Sequence, residues 1–443
     1  MKVLKFGGTS VGSPHHMRSV ATLITDEDPK VVVLSAMAGT TNKLVEITIK
    51  SYQQKTAEAL ELAESLHKTY REVIDELYTT EKKKFAALDF LLSHVDFIKS
   101  LVTGPFSIRE ERAILAQGEL LSTNLFQFLT EELNQDSVLL PALTFMRIDE
   151  NEEPDLKFLE QELTATLAKY PQNKLFITQG YICRNAYGEI DNLKRGGSDY
   201  SASLIGAALK ATEIQIWTDI NGMHNNDPRL VSDTYPIAEL SFDEAAELAY
   251  FGAKILHPSS VLPAKQKNIP VKLLNTLQPT AKGTTISAQS SGKSIKAVAA
   301  KDGIVAIKVK SSRMLLAYGF LRRIFEVFEE YKTPIDMITT SEVAVSLTID
   351  NPKYLPEIIA ELKEFGSVQV DQDQTIICLV GDSIAEVPGT TVKIFESLKA
   401  IPLRMISYGG SKNNISLLIP TADKKRALQA LNKGVFERIA EHA

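Results

Sequence analysis

The chain has 443 residues, 44% of them hydrophobic and 23% charged, with a net charge of −6. This is the composition of a soluble globular protein, which excludes disordered and fibrous classes, and the length predicts two or three domains. The acidic balance also excludes nucleic acid as a main partner, because phosphate binding requires a basic surface.

Met1–Gly8 holds too short an apolar run for a signal peptide, and no stretch of about 18 apolar residues follows, so a cytoplasmic protein without a membrane segment is expected. Short β-branched runs stand between helical patterns at Val3-Leu4, Val31–Leu34, Leu175–Thr178, Ile214–Trp217 and Val271–Leu274. Their spacing predicts an α/β layer fold with a largely parallel sheet. From Tyr52 to Leu101 the period changes: Leu60, Ala63, Leu66, Tyr70, Val73 and Leu77 recur at steps of three and four, which gives one apolar helical face. Residues 51–101 are therefore a helical insertion within a first domain over 1–290. Cys183 and Cys378 lie 195 positions apart with no C-x-x-C partner, which predicts two buried thiols and no disulfide or thiolate metal site.

The polar stretch Ser287–Ser294 marks a boundary, and the remainder, 295–443, repeats itself. At an offset of 70 residues Gly319 matches Gly389, Ile324-Phe325-Glu326 matches Ile394-Phe395-Glu396, and Ser346-Leu347 matches Ser416-Leu417. Pro334–Ile338 pairs with Pro402–Ile406 at an offset of 68, a two-residue change that connecting turns absorb. Each copy reads strand, glycine turn, helix, strand, strand, and the copies occupy 303–370 and 375–443, with interleaving allowed. Modules of roughly 60 to 70 residues are marginal alone, so they are expected to pack on each other or on a second subunit, which predicts a homodimer.

Three motifs carry chemistry. Lys5-Phe6-Gly7-Gly8-Thr9-Ser10-Val11-Gly12 follows the first strand, where glycines admit phosphate oxygens to backbone N–H groups and the lysine reaches the same oxygens. It is not a Walker A loop, which has its lysine after the glycines, and a plain tight turn is the alternative reading. Lys194-Arg195-Gly196-Gly197-Ser198-Asp199 precedes an apolar helical run; Ser198 or Asp199 would cap that helix, and Arg195 is suited to a bidentate pair with a carboxylate. Trp217-Thr218-Asp219 leads off a buried strand toward Asp227-Pro228-Arg229, the end of a sheet where ligands bind.

Together with Gly252-Ala253-Lys254-Ile255-Leu256-His257-Pro258, these blocks occur in the order and spacing of aspartate kinases, and Gly319-Phe320-Leu321 with Asp336–Glu342 resembles the first of that family's paired ACT modules. The resemblance covers nearly the whole chain. It implies a three-layer amino-acid-kinase fold with a mainly parallel sheet, followed by two α+β ACT-like (ferredoxin-like) modules. It also implies ATP-dependent phosphorylation of the L-aspartate β-carboxylate to 4-phospho-L-aspartate, the first step toward lysine, threonine and methionine, with Mg²⁺ bridging the phosphates. By resemblance, Lys5 and Asp199 are catalytic, and Thr41, Glu119, Arg195 and Ser198 bind aspartate. Lys5, Gly7, Gly8, Thr9, Ser10, Thr218, Asp219, His224, Arg229 and Lys254 bind the nucleotide, and no protein group is assigned to the metal. Met314, Phe320, Leu321, Asp336, Ser341 and Glu342 form the effector site, for L-lysine by likeness to lysine-sensitive members, with dimerisation or higher assembly through the ACT modules and no dehydrogenase domain.

Some positions depart from the family pattern, which commonly has tyrosine at His224, threonines at Asn225-Asn226 and glycine at Lys194. Lys194 is expected to point to solvent. Glu119 lies in a helical pattern where a solvated glutamate is the ordinary reading, and only the resemblance gives it a role. His15-His16 and His257 are read as turn and helix-start residues, without metal-ligand spacing. Phe320 and Leu321 also suit a plain core role. Two other functions stay open on the residues alone: an amino-acid kinase for another substrate, or an amino-acid-binding protein with an inactive kinase half. Arg195→Ala should raise the aspartate KM with little change in kcat; an unchanged KM in steady-state assays would remove Arg195 from the substrate site.

Overall fold

The computed structural model describes residues 1–194, 196–252, 257–289, 292, 294–311 and 318–436. They form two compact units, one of Met1–Met223, Ala238–Phe242 and Leu256–Gln289, the other of His224–Ile237, Asp243–Ile255 and Ser290–Ala443. Of the boundary stretch, Ser290, Ser291 and Lys293 lie outside the described residues.

The first unit contains β1 (Lys2–Phe6), β2 (Lys30–Leu34), β3 (Ser137–Leu140), β4 (Leu175–Gln179), β5 (Ile182–Arg184), β6 (Ile190–Asn192), β7 (Glu213–Thr218), β8 (Glu239–Ser241), β9 (Val271–Asn275) and β10 (Thr284–Ser287). β5 and β6 form a hairpin; the others make one sheet in the order β3-β4-β2-β1-β7-β9-β10-β8. Every neighbouring pair in it is parallel except β9–β10. β2 is buried along its whole length, as a strand covered on both faces must be, and reads as continuous Val and Leu after Lys30. The Lys30 ammonium is buried with it and donates to the carbonyls of Ile24 and Asp26 while pairing with the Asp26 carboxylate, since a buried charge left unpaired is costly.

Side chains alternate between the faces of the sheet. Leu4 and Phe6 of β1, Val32 and Leu34 of β2, and Leu175 and Ile177 of β4 enter one core with the helices Thr56–Leu77, Glu81–Thr103 and Gln117–Glu132. Lys5, on the opposite face, meets the helix Gly197–Ala208. In the inserted region Ala63, Leu66, Tyr70 and Leu77 are buried and Leu60 and Val73 half-buried, all in that same core. The two long helices and the sheet therefore share one apolar interior.

The second unit contains β11 (Ile295–Lys310), β12 (Ile338–Thr340), β13 (Ala344–Ile349), β14 (Ser367–Gly381), β15 (Met405–Ser407) and β16 (Asn414–Pro420), antiparallel throughout in the order β12-β13-β11-β14-β16-β15. Two apolar clusters lie along it. Val305, Ile307 and Val309 of β11 pack with β13 and the helices Phe320–Glu330 and Leu355–Leu362. Val298 of β11 and Ile377 and Leu379 of β14 pack with β16 and the helices Thr390–Ser397 and Lys424–Leu431. Gly319 and Gly389, both left-handed, begin the equivalent helices of the two repeats. β11 and β14 pair along nearly their full lengths, so each long strand serves both clusters.

Candidate active site

A cavity of about 490 Å³ opens at the carboxyl ends of the parallel strands, lined by Gly8, Thr9, Ser35–Gly39, Thr41, Glu119, Tyr181, Gly197 and Ser198. Five chain segments converge there: the turn after β1, the loop after β2, the first turn of Gln117–Glu132, Tyr181 between β4 and β5, and the start of Gly197–Ala208. They come close because glycine lines the joins. A Cβ on Gly8 would lie 2.9 Å from the carbonyl oxygen of Ala36, and one on Gly180, just past β4, would lie 2.3 Å from Ser198 Cβ.

Glu119 is 3% exposed. Its Oε1 accepts the Ala36 N–H at 3.2 Å, and its Oε2 has no partner among the described residues. Burial pushes its pKa up to about 7, against the opposing pull of the Ala36 N–H and the Lys5 charge. The solvated glutamate that its helical setting suggested is thus replaced by a carboxyl group enclosed in the cavity wall, with one oxygen uncommitted. Thr41 is exposed at the cavity and Ser198 is buried beside Gly180.

Lys5 Nζ sits 2.6 Å from Asp199 Oδ1 as an ion pair joining β1 to the facing helix, both side chains being less than one-fifth exposed. Gly196 stands at the cap of that helix and makes no side-chain cap, so Ser198 and Asp199 lie in the first turn and neither is the cap expected from sequence. The first-turn amides are then left for an anion, as at other helix starts. Arg195, the carboxylate partner expected beside them, lies outside the described residues.

A second cavity of about 340 Å³ shares Thr9 and Ala38 with the first and is lined also by Ser10, Gly12, Ser13, His16, Thr218, Asp219, Thr276 and Leu277. Thr9, Ser10, Thr218 and Asp219 are therefore brought together, with Ser10 Oγ 2.7 Å from Thr276 Oγ1 and Thr218 donating to Asp219 at 3.1 Å. Gly7 lines neither cavity; a Cβ on it would approach Lys5 Nζ to 3.3 Å.

Sequence reasoning missed Ser35–Gly39, His16 as a cavity residue, and Tyr181. The last has φ 65°, unusual for a residue with a side chain, and is held there by its N–H on Ser201 Oγ and its carbonyl on the Leu193 N–H, both at 2.8 Å. Lys194 does not simply face solvent. Its ammonium lies 3.2 Å from Glu152 and 3.7 Å from the buried Asp191, which also pairs with Arg112.

His224 and Arg229 belong to the second unit, where internal contacts account for them. His224 Nδ1 lies 3.0 Å from Thr234 Oγ1, and burial holds its pKa low. Arg229 forks onto the Asp227 carboxylate at 2.9 and 2.8 Å, and Asn225 and Asn226 are buried, the second donating to the Leu428 carbonyl at 3.0 Å. Lys254 and Met314 lie outside the described residues.

Among the other effector candidates, Phe320 is buried in the first module's core, while Leu321, Ser341 and Glu342 are exposed. Asp336 Oδ1 is occupied: it accepts from Lys301 Nζ and the Tyr250 hydroxyl, both at 2.9 Å, while its Oδ2 has no partner among the described residues. In the second repeat the equivalent positions carry the reversed pair, Arg404 donating to Asp371 at 2.7 Å. The two modules therefore present opposite charges at matching places, and only the first offers a buried carboxylate. No group of three His, Cys, Asp or Glu suited to a metal occurs among the described residues, and no described helix is long and apolar enough to cross a membrane.

Residues 1–275 match the amino acid kinase family, and residues 377–435 match an ACT domain. The chain is 32% identical to lysine-sensitive aspartokinase 3 of Escherichia coli (strain K12), covering 98% of this chain and 99% of that one. Its structure is similar to E. coli aspartokinase III in complex with aspartate and ADP, R-state, with a TM-score of 0.84 and 31% identity over 99% of this chain and 100% of the other. The T-state of that protein, in complex with lysine and aspartate, gives a TM-score of 0.81 at 31% identity over the same shares.

The Glu119 environment has a thermodynamic signature. A carboxyl group with a pKa near 7 when folded binds more protons than the unfolded chain between its ordinary value of 4.5 and 7, so its contribution to stability is present below 4.5 and is lost as pH rises through 7. Glu119→Gln should flatten that part of the ligand-free stability profile by about 3 kcal/mol, read from urea unfolding at several pH values. Parallel profiles for the two proteins would show that Glu119 titrates normally.

Proposed function

This chain belongs to the aspartokinase family, and from that premise we propose that the two joined cavities hold L-aspartate and ATP on either side of Lys5, Gly7 and Gly8. The enzyme is an ATP-dependent aspartate kinase, transferring the γ-phosphoryl group to the β-carboxylate of aspartate. The observation that carries the site assignment is the free oxygen of buried Glu119, a place for an ammonium group in a cavity that also presents Ser198, Thr41 and a helix start. In this reading Glu119 takes the substrate ammonium, Arg195 and the helix amides take the α-carboxylate, and Thr41 and Ser198 add hydrogen bonds.

The substrate carboxylate is already a nucleophile, so no covalent enzyme intermediate is required; the protein aligns it and stabilises charge on the transferring oxygens. Lys5 supplies the positive charge, Asp199 holds that ammonium in place, and the Gly8 amide approaches the phosphoryl oxygens where a side chain would crowd Ala36, whereas the Gly7 N–H is taken by the Trp217 carbonyl at 3.3 Å. Thr9, Ser10, Thr218 and Asp219 line the nucleotide side. His224, Arg229 and Lys254 remain assigned to the nucleotide by resemblance alone. Mg²⁺ fits as an ion carried by the phosphates, neutralising their charge, with no ligand set required from the protein.

For regulation we assign the first module as the sensor of an amino acid, with L-lysine as the effector and the free oxygen of Asp336 as the contact for its ammonium. Leu321, Ser341 and Glu342 are exposed and Phe320 supports the helix start, and these four are assigned to the effector by resemblance alone. The modules are the proposed route to a homodimer, in a cytoplasmic enzyme.

The test is hydroxylamine trapping of the acyl phosphate with MgATP and L-aspartate. Hydroxamate should form with aspartate and not glutamate and should fall when L-lysine is added, and Lys5→Ala should lower kcat about 10²- to 10³-fold. Hydroxamate from glutamate alone would reassign the substrate, and a near-normal kcat for Lys5→Ala would end its assigned role.

A further inference from the structure

The inserted helix Thr56–Leu77 packs along the helix Thr40–Tyr52, whose second residue lines the substrate cavity, and one of its contacts there is a buried hydroxyl pair. Tyr70 is 1% exposed, and its hydroxyl lies 3.0 Å from Thr40 Oγ1, itself on a side chain only 5% exposed. Burial pushes the Tyr70 pKa up and the Glu119 carboxylate adds to the effect, so the phenol stays protonated and able to donate.

Thr40 occupies a junction. It opens the helix Thr40–Tyr52 after left-handed Gly39, and its N–H donates to the Met37 carbonyl at 3.0 Å, closing the turn that carries Met37, Ala38 and Gly39 along the cavity wall. Thr41, the next residue, lines the cavity. On its other side, Thr40 Cγ2 comes within 3.4 Å of where a Cβ on Gly118 would stand, so the start of the Glu119 helix rests against the same side chain. A rotation of Thr40 would therefore disturb both Thr41 and Glu119.

We infer that the Tyr70–Thr40 hydroxyl pair is a positioning device for the aspartate site, by which the helical insertion fixes the wall segments that bear Thr41 and Glu119. Tyr70 touches no substrate; it acts through Thr40. The inference rests on the aspartate-kinase reading of the cavity and adds a function for the insertion. Neither residue lines a cavity itself, but Gly39, Thr41 and Glu119, which adjoin Thr40, line the first cavity and not the second, while Ala38 lines both, so the larger effect belongs to aspartate.

A buried hydroxyl left without its partner costs more than the removal of both, which gives the inference a distinctive test. Tyr70→Phe and Thr40→Val, each made alone in the full chain, should raise the aspartate KM about five- to ten-fold, with kcat and the ATP KM within about two-fold of the unaltered enzyme. The double variant, with two apolar partners, should recover most of the loss, and Thr40→Ser, which keeps the hydroxyl and drops only the methyl beside Gly118, should lie closer to the parent than Thr40→Val. An unchanged aspartate KM for Tyr70→Phe would overturn the inference, as would a double variant showing the product of the two single effects. So would equal weakening toward aspartate and ATP, the mark of a general loss of packing. No turnover of aspartate by the unaltered chain would remove the reading on which the inference stands; turnover with an indifferent Tyr70→Phe would remove the inference alone.

Discussion

The geometry of the catalytic unit depends on one close approach. The first turn of Gly197–Ala208 is pressed against the end of β4 at Gly180, where no side chain can be accommodated. That contact places Ser198 in the cavity wall, sets Asp199 opposite Lys5 on β1, and aims the uncapped amides of the helix at the ends of the strands. Beside it Tyr181 adopts a left-handed backbone, held by hydrogen bonds to Ser201 on that same helix and to Leu193 just past β6. Charge placement thus follows from packing: a lysine and an aspartate far apart in sequence meet because two backbones touch.

Electrostatically the two units use one device. Glu119 in the first and Asp336 in the second are each buried, with one oxygen bonded to the protein and the other without a partner among the described residues. Glu119, bonded only to a neutral N–H, is anchored in direction yet costly until a cation arrives, whereas Asp336 already holds the Lys301 ammonium and offers only its second oxygen. The second repeat lacks the device, since Arg404 and Asp371 satisfy each other on a more exposed surface. Duplication supplied two similar frames, and side-chain chemistry has made only the first suited to an amine.

Much of this was legible in the sequence where burial is symmetric. β2 and β4 stand out as apolar runs because both faces of the sheet are covered there, β7 and β9 show as alternating β-branched and apolar positions, and the short strand β3 at the sheet edge, with its mixed burial, carries no such pattern. The glycine-lysine motif and the repeat were visible because they depend on residue type and spacing. Glu119 was visible only through resemblance, since helical periodicity does not tell a solvated face from one closed by a loop more than 80 residues earlier in the chain. The loop Ser35–Gly39 contributes mainly backbone and small side chains, which have no chemical signature beyond a glycine after a strand. Lys194 looked solvent-facing because its partner Asp191 is buried on a hairpin that short local patterns do not reveal.

The regulatory sheet has a consequence for how such an enzyme can change over evolutionary time. β11 and β14 each run through both repeats, so no cut in the chain separates one module from the other without severing a strand that both require. The duplicated pair is inherited as a single cassette: it can be gained, lost or transplanted whole, but one half cannot be traded for a sensor of another specificity. New effector preferences must therefore arise by substitution within the existing frame, at places such as the paired positions of Asp336 and Arg404, and not by exchange of modules.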